Sequence, residues 1–384
     1  MFYYQIIPLE KIRTEKFPAF TYSHHQKVPL FSLAKIELRK RIVFGLVWSE
    51  TARPNFPTKK ISLLAEKNFW SQNQIHLAEK ISANYFSSWG ETLQLFFPFQ
   101  IRQKNRFSKP TAKPEQTLPI AKKLLPTPTQ KKALAQIWKS PLKSFLIFGP
   151  ASSGKTLVAW EIARKIIRQK KSVLVVLPEI FLAHQEKDRW KNHLSLKESE
   201  TFFVHSSIPK TVYRKKWEEV KKGKIKLVIG SRSGLFLPFA NLGLIVVDEE
   251  QDLSHRQWDQ APFYDARKIA AWLAKIHSAK TLLLSATPTL ESLFDRSSLP
   301  VELSRLKTAA GEVKKPEIIL ADLKKNFFQK NRSPLTQELI SRLEKNLAEK
   351  KAAFLFVPRR GFARKIICSD CRRSLLCPRC GINL

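Results

Sequence analysis

The segment Gly149-Pro-Ala-Ser-Ser-Gly-Lys-Thr156 constrains this chain more than any other feature. It fits the spacing G-x-x-x-x-G-K-[ST], in which the glycines let backbone N–H groups wrap around a phosphate. A short apolar run, Ser144–Phe148, precedes it, and a helical pattern over 157–168 follows it. Because this strand–loop–helix order is the context that the motif requires, the sequence predicts a nucleotide-binding α/β domain rather than an ordinary glycine turn.

The motif assigns a role to each of its polar positions. Gly149 and Gly154 would let the loop approach the phosphates, and the helix after the loop would point its positive end at them. Lys155 would reach the β- and γ-phosphates, and the Thr156 hydroxyl would ligate Mg²⁺. We therefore expect ATP and Mg²⁺ as ligands.

Further apolar runs alternate with helical stretches downstream of this loop. We predict strands over 173–177, 227–229, 242–247 and 281–284 and a helix over 130–138. Continuous apolar strands of this kind are typical of a parallel sheet covered on both faces. The fold class expected for residues 128–300 is therefore an α/β lobe with a P-loop, built on a parallel sheet.

An acidic cluster follows the apolar run at 242–247. Asp248, Glu249 and Glu250 would lie at the carboxyl end of a strand, which faces the ligand crevice in a parallel sheet. Asp248 would hold Mg²⁺ through water, and Glu249 would orient and deprotonate an attacking water. An acidic strand exit without function is the alternative.

Charge indicates the kind of partner. The chain has 68 Lys and Arg against 32 Asp and Glu, a net charge of +36. Such an excess calls for a polyanion, with nucleic acid the first candidate and an anionic membrane surface the second. The start of the chain lacks a signal-peptide pattern, and no apolar run approaches the length of a membrane span, so we expect a cytoplasmic, nucleoid-associated protein without a membrane partner.

Composition and periodicity divide the rest of the chain. Residues 1–103 read as a small mixed, β-rich domain with a basic strand over 35–43 and helical spacing over 61–84, and 104–127 read as a basic, proline-containing linker. Lys35, Arg39 and Arg41 in the basic strand are candidate nucleic-acid contacts, although a solvated strand edge explains them equally well. After the 128–300 lobe, 301–366 contain a connection, an amphipathic helix over 335–347 and a buried strand over 352–357.

All four cysteines lie in the last segment, 367–384. Cys368 with Cys371 and Cys377 with Cys380 form two C-x₂-C pairs, the spacing of zinc half-sites. In a chain without an export signal, this clustering favours a Zn²⁺ site over disulfides, and unpaired thiols are the alternative.

These motifs resemble a known family. Asp248-Glu-Glu-Gln251 resembles the DEAD/DEAH box of superfamily 2 helicases, and the surrounding segments resemble the primosomal (PriA-type) replication-restart helicase family. The segments that carry the resemblance are Val173–Ile180, His205-Ser206, Ile229–Phe236, Asn241–Glu250, Tyr264–Arg267, Leu284–Ser292, Val357–Ala363 and the cysteine pairs. Residues 1–103 are similar, more weakly, to the 3′-DNA-end-binding domain of that family.

The resemblance implies that the 128–300 lobe is RecA-like. It also implies an ATP-dependent DNA helicase that acts on stalled or forked DNA, with primosome and replisome proteins as partners. Gln130 would read the adenine, and Gln251, Ser285 and Thr287 would couple hydrolysis to movement. The positions matching the family's single-strand contacts are Pro178, Glu179, Ser231 and Arg232, and an aromatic-rich loop over 252–267 adds Trp258 and Arg267. Aromatic side chains among arginines also suit base stacking in their own right, with a loop-side apolar cluster as the alternative.

The chain departs from the family pattern at four places. Gln251 stands where the family usually has His, the 104–127 linker is too short for a winged-helix domain, and the cysteine pairs lack the partner pairs of the family. Most of the second helicase lobe, which supplies an arginine finger, is not present. We therefore expect ATP and DNA binding with weak unwinding; a non-catalytic primosome scaffold and one half of a split helicase are the alternatives.

Overall fold

The computed structural model describes residues 1–12, 18–97, 125–178, 180–205, 208–303, 317–321 and 335–356, with the backbone alone for 180–185. The chain separates into two compact units, 1–307 and 308–384. The first unit contains two sheets, one in the amino-terminal domain and one in the predicted nucleotide-binding lobe.

The amino-terminal sheet has six strands in the order β5-β2-β1-β4-β3-β6. Its pairs are antiparallel except for β2 with β5. The strands are β1 (Phe2–Pro8), β2 (Phe20–His24), β3 (Leu33–Leu38), β4 (Arg41–Thr51), β5 (Lys59–Lys60) and β6 (Leu63–Glu66). Two helices follow, α1 (Gln72–Asn84) and α2 (Trp89–Leu95), and each begins at a serine that caps it in a capping box. This confirms the predicted mixed, β-rich domain.

Two local predictions for this domain were wrong. The basic segment 35–43 is a hairpin of β3 and β4 rather than one strand, because Arg39 and Lys40 both adopt positive φ (47° and 64°) and reverse the chain. Helix does not extend over 61–84, since residues 63–66 pair with β3 and α1 starts only after its cap at Ser71. The helical spacing of apolar residues over 61–84 did not distinguish the strand at 63–66 from helix α1.

The second sheet has seven parallel strands in the order β13-β7-β12-β11-β8-β10-β9. The strands are β7 (Ser144–Phe148), β8 (Ser172–Val176), β9 (Thr201–Val204), β10 (Leu227–Gly230), β11 (Leu242–Val247), β12 (Lys280–Ser285) and β13 (Ser298–Glu302). The predicted parallel α/β lobe is confirmed, and the two edge strands β9 and β13 add to the five predicted strands.

Helices cover both faces of this sheet. They are α3 (Pro128–Lys139), α4 (Lys155–Arg168), α5 (Ile180–Leu194), α6 (Lys210–Lys221), α7 (Ala266–His277) and α8 (Leu290–Phe294). Alternate residues of β8 point to opposite faces, as the pleat requires. Val173 and Val175 belong to the core under α3 and α4, whereas Leu174 and Val176 belong to the core under α6 and α7.

The amino-terminal domain shares the second of these cores. Phe69 stacks on Trp217 of α6 with ring centroids 5.1 Å apart, and Tyr85 packs on Trp272 of α7. The buried Gln74 amide donates to the carbonyl of Phe236 over 3.1 Å. One continuous apolar cluster therefore joins this domain to one face of the seven-stranded sheet.

The second unit contains a helix, α9 (Gln337–Ala348), which confirms the predicted amphipathic helix. The buried strand predicted over 352–357 was wrong for its described part. Residues 351–356 form no strand, and Phe354 is 90% exposed, because no described strand pairs with or covers this segment. Among the described residues, no helix combines the length and apolar character needed to cross a membrane.

Candidate nucleotide site and neighbouring nucleic-acid contacts

The loop between β7 and α4 is built as a close backbone cradle. Gly154, at φ +82°, is the N-cap of α4, and a Cβ there would lie 2.2 Å from the Gln130 amide nitrogen. A Cβ on Gly149 would lie 2.2 Å from the Leu303 carbonyl oxygen. Both glycines are thus required by packing and, at Gly154, by conformation. The cradle has the geometry that the phosphate motif predicts.

Two polar groups of this loop fit a phosphate ligand. The Lys155 ammonium donates to the carbonyl oxygens of Gly149 (2.8 Å) and Pro150 (3.1 Å). The Ser153 hydroxyl is buried without a hydrogen-bond partner among the described residues. A buried hydroxyl without a partner is costly, and phosphate oxygens would supply the missing acceptor. The loop therefore suits a nucleotide phosphate.

Gln130 links the start of α3 to the phosphate loop. Its side chain is 1% exposed; the amide nitrogen donates to the Ser153 carbonyl (3.0 Å), and the amide oxygen accepts from the Thr127 backbone N–H (3.0 Å). These contacts fix the loop against α3. Its reading of an adenine stays a prediction.

The acidic cluster follows β11 at the same edge of the sheet as the phosphate loop. Burial, and then the neighbouring Glu249, raise the pKa of Asp248 to about 6. Burial lowers the pKa of Lys155, while Glu249 and Asp248 act in the opposite direction. The Lys155 ammonium is therefore within electrostatic reach of the Glu249 and Asp248 carboxylates, and their catalytic roles stay a prediction. Thr156 follows Lys155 as the second residue of α4, so its hydroxyl would be available to a phosphate-bound Mg²⁺.

Glu249 and Gln251 connect this cluster to the end of β12. Glu249 adopts a left-handed φ of +46°, a strained conformation for a residue with a side chain. The Gln251 amide nitrogen donates to the Glu249 carboxylate (2.6 Å), and its amide oxygen accepts from the Ser285 hydroxyl (2.5 Å). The Thr287 N–H in turn donates to that hydroxyl (3.0 Å). The predicted coupling residues thus form one hydrogen-bonded chain.

Glu250 has a structural role that sequence reasoning missed. Its fully buried carboxylate accepts from the Thr289 N–H (2.7 Å), the Thr289 and Ser292 hydroxyls, and the Arg267 guanidinium (3.4 Å). It therefore anchors the start of α8 and the start of α7 to β11. The sequence offered one indication of this role, since Glu250 is the third consecutive acid at the end of a buried strand.

The loop 252–267 is attached to the strand ends by its first turn. The His255 ring is fully buried, with Nε2 2.9 Å from the Asp248 carbonyl oxygen. The Ser254 hydroxyl donates to the Pro178 carbonyl (3.0 Å). The structure therefore places Pro178 beside the loop that follows the acidic cluster. The neighbouring Glu179 lies outside the described residues.

Two predicted DNA-contacting arginines have protein partners. Arg232 follows Ser231 at the end of β10, and its guanidinium donates to the Arg256 carbonyl (2.5 Å). Arg267 is half-buried and pairs with the Asp265 carboxylate (2.6 Å), which lowers the pKa of that carboxyl. Contact of these arginines with DNA stays a prediction.

The remaining candidates lie elsewhere. Trp258 is 79% exposed at the tip of the 252–267 loop, whereas Tyr264 is buried against Phe236. Arg39 and Arg41 are exposed at the β3–β4 turn, and the Lys35 ammonium lies 5.5 Å from the centre of the Phe44 ring. Cys368, Cys371, Cys377 and Cys380 lie outside the described residues, so the zinc site stays a prediction.

The comparisons with known proteins agree with this arrangement. The DEAD/DEAH box helicase family matches residues 127–295, and the 3'DNA-binding domain (3'BD) family matches residues 11–98. The chain is 32% identical to the replication restart protein PriA of Helicobacter pylori J99, covering all of this chain and 57% of that protein. It is 34% identical to the Bacillus subtilis protein of the same name, covering 63% of this chain and 30% of that one.

A third relative gives the same result. The chain is 35% identical to the replication restart protein PriA of Chlamydia trachomatis, covering 62% of this chain and 32% of that protein. It spans a little over half the length of the Helicobacter relatives. The two matched domains, and a phosphate loop at the same sheet edge as the acidic cluster, agree with these relatives. The chain is similar over its whole length to the replication restart protein PriA.

Proposed function

We propose that this chain binds ATP with Mg²⁺ and forked DNA and couples ATP hydrolysis to action at stalled replication forks, as an ATP-dependent DNA helicase component. The observation that carries the proposal is the hydrogen-bonded chain from Glu249 through Gln251 to Ser285, opposite the phosphate loop. A fold kept only as a scaffold has no need of this connection, which argues against the non-catalytic alternative.

The side chains divide the chemistry of hydrolysis between them. Lys155 exchanges its loop carbonyls for phosphate oxygens, and the Ser153 hydroxyl gains an acceptor. Glu249 holds the attacking water and accepts its proton. Thr156 and Asp248 would hold Mg²⁺, which would supply charge neutralisation at the phosphate oxygens. Gln251 connects Glu249 to Ser285 through its two hydrogen bonds, so a change at the Glu249 carboxylate during hydrolysis alters the hydrogen bond at the Ser285 hydroxyl.

Single-stranded DNA is proposed to pass a cleft of about 660 Å³ between the amino-terminal domain and the 252–267 loop. Phe86 and Phe263 line the cleft and are 96% and 59% exposed. Phe86 also has a φ of +49°, so neither burial nor backbone preference favours an aromatic residue there. Base stacking would explain both rings.

Similarity to these relatives supports several finer proposals. We infer that the primosome and replisome proteins are partners, that the protein works in the nucleoid, and that the paired cysteines bind Zn²⁺. The domain boundaries at 103, 127, 300 and 366 are retained as proposals. Zinc content of the purified chain, measured before and after Cys368→Ser, tests the metal assignment directly.

The deciding experiment measures ATP hydrolysis with and without a forked DNA. We expect DNA to stimulate turnover, and Glu249→Gln to abolish the stimulation. Glu79→Gln, which removes the same charge at an exposed position of α1, should behave as the parent chain. ATP binding without any turnover would instead support the scaffold.

Lys155→Ala tests the site assignment separately. The variant should lose protection by ATP against thermal unfolding, because the loop loses its phosphate ligand, while its affinity for forked DNA stays nearly unchanged. An unaltered ATP affinity would remove the phosphate loop from the proposal.

A further inference from the structure

The amino edge of the seven-stranded sheet carries a group of cations that the nucleotide site does not use. Because all seven strands run in one direction, their amino ends lie along the edge opposite the phosphate loop. Lys143 precedes β7, and Lys280 begins β12, the strand next to it. Lys165 lies in the last turn of α4, the helix that starts at the phosphate loop, so it also reaches this edge.

Two of these lysines lie over one aromatic ring, and the third, Lys143, acts electrostatically on one of them. The Lys165 ammonium lies 4.0 Å from the centre of the Trp138 ring, and the Lys280 ammonium lies 5.5 Å from it. Burial lowers the pKa of Lys280, and the charges of Lys143 and Lys165 lower it further. The charged side chains that shift the pKa of Lys280 are therefore other lysines.

Carboxylates do not balance this group among the described residues. Lys143, Lys165 and Lys280 form no ion pair there, whereas Lys187, Lys191 and Lys226 on the same lobe pair with Glu198 or Glu200. Asp295 enters the turn before β13, and its carboxylate accepts from Ser297. Neighbouring like charges lower stability unless a partner anion compensates them.

Helix termini account for part of the pattern only. Lys139 and Lys165 stand in the last turns of α3 and α4, where cations favourably meet the carbonyl end of the helix. Lys280 begins a strand, and its ammonium also donates to the Ile137 carbonyl in the last turn of α3 (3.4 Å). Lys143 precedes a strand and has no such contact among the described residues. Arg168, Lys170 and Lys171 continue the positive surface from α4 to the start of β8.

We infer that this edge, which we name the Trp138 lysine cluster (Lys143, Lys165 and Lys280), binds the phosphate backbone of a double-stranded arm of the DNA. The inference rests on the proposed binding of forked DNA and adds a second contact on the lobe. Trp138 is half-buried, and Lys165 covers its face, so the ring is not free to stack on a base. Contacts limited to phosphates suit a duplex, whose bases are already stacked.

The position of the cluster gives this contact a geometric consequence. Strands of five or six residues place the two edges of the sheet roughly 17–20 Å apart. An arm bound at the amino edge would therefore extend away from the single strand held near the 252–267 loop. Binding of a fork should then depend on arm length.

The test compares two forks with identical single strands and duplex arms of about 8 and about 25 base pairs, roughly 27 and 85 Å at 3.4 Å per base pair. The test variant is K143Q/K165Q/K280Q. The control is K187Q/K191Q/K226Q, which removes the same charge from lysines that have carboxylate partners. The variant K143R/K165R/K280R keeps the charge and checks that packing around Trp138 is not the cause.

On the long-arm fork, the test variant should reduce the slope of log affinity against log salt concentration by about 3, one unit for each lost phosphate contact. The control and the arginine variant should keep the slope of the parent chain, and the short-arm fork should not distinguish the variants. Unchanged thermal unfolding and ATP affinity establish that the test variant folds.

Three outcomes would overturn the inference. They are an unchanged slope for the test variant on the long arm, an equal loss in the control, and an equal loss on the short arm, which would mean that overall charge or an acidic protein partner explains the cluster. Failure of the proposed function differs from all three, because the parent chain would then bind neither fork.

Discussion

Asp248 combines two requirements that oppose one another. Its carboxylate must be charged to hold Mg²⁺, yet burial and the adjacent Glu249 raise its pKa from 3.8 to about 6. The folded protein thus keeps the proton to a higher pH than the unfolded chain does. The resulting contribution to stability is full below about pH 4 and is lost as the pH rises through about 6. At neutral pH the ionised, buried Asp248 carboxylate therefore lowers the stability of the folded protein.

We therefore predict that Asp248→Asn raises the Tm of the nucleotide-free protein at pH 7.5 by roughly 2–4 °C, the shift expected for about 1 kcal/mol. The gain should vanish at pH 4, where the parent carboxyl is protonated. The same variant should lose Mg²⁺-dependent ATP binding. Thermal unfolding at the two pH values measures the effect, and a gain that is equal at both would contradict the assigned pKa.

Substitution of Gln251 should lower the rate of ATP hydrolysis without lowering the affinity for ATP. Gln251→Ala removes both of its hydrogen bonds, to Glu249 and Ser285, and should lower DNA-stimulated hydrolysis about tenfold, close to the 1.4 kcal/mol of one charge-assisted bond. ATP affinity should stay within about twofold, since Gln251 does not line the phosphate loop. Gln251→His, which can donate and accept, should retain most of the activity, and Gln136→Ala on the surface of α3 is the control. Equal losses in affinity and turnover would place Gln251 in nucleotide binding instead.

At the scale of elements, the 252–267 loop is held at its base and exposed at its tip. His255 and Ser254 attach it to two strand ends, while Trp258 and Phe263 face outward. A rigid base with exposed rings suits a loop that contacts single-stranded DNA at its tip. Because the base is attached next to the acidic cluster, DNA binding at the tip can affect that cluster. Loop and nucleotide site should therefore respond together.

Phe263→Ala should lower the affinity for single-stranded DNA about tenfold, within the 1–3 kcal/mol of one stacked base. Phe86→Ala, across the same cleft, should do likewise, and the double variant should lose less than the sum if both rings hold one base. Phe56→Ala removes an aromatic side chain that is 55% exposed elsewhere in the amino-terminal domain. Fluorescence anisotropy with a labelled oligonucleotide gives the affinities. A loss in Phe56→Ala as large as in the other two would mean that general surface effects, not the cleft, are measured.

The buried strands of the lobe could be predicted because each is an uninterrupted apolar run bounded by polar residues. The runs at 144–148 and 242–247 match β7 and β11 residue for residue. The β3–β4 hairpin could not, since its turn uses Arg39 and Lys40 where the usual signal is Asn or Gly. The edge strand β9 was missed because it has only four residues, and β13 was missed because Pro300 interrupts its apolar residues and Ser298 and Glu302 flank them.

The residues of the candidate site also divide into those that the sequence predicts and those that only the structure identifies. Local motifs predicted Lys155, Asp248 and Glu249, because their chemistry depends on spacing within one segment. The contacts of Glu250 with Thr289 and of His255 with Asp248 join segments distant in sequence or depend on how a loop folds back. No residue pattern within one segment carries that information, so the structure was needed to find them.

At the scale of the molecule, the amino-terminal domain and the lobe share one apolar core instead of meeting at a polar surface. Phe96 packs edge-on against Phe236, and Lys221 of α6 donates to the carbonyls of Asn68 and Phe69. The segment between the two domains is then not what keeps them together. Inter-domain contacts of this apolar kind favour a fixed arrangement over independent motion.

Cleavage of the connecting segment should therefore leave the two domains associated. With a site-specific protease sequence inserted after Lys113, the two fragments of the cut chain should elute together in size-exclusion chromatography and keep DNA-stimulated hydrolysis. Lys221→Gln, which loses two hydrogen bonds across the interface, should promote separation at moderate urea, whereas Lys222→Gln, at the exposed neighbouring position, should not. Fragments that separate without denaturant would mean that the shared core contributes too little to hold the domains. Joint elution without DNA stimulation would instead assign the connecting segment a direct part in sensing DNA.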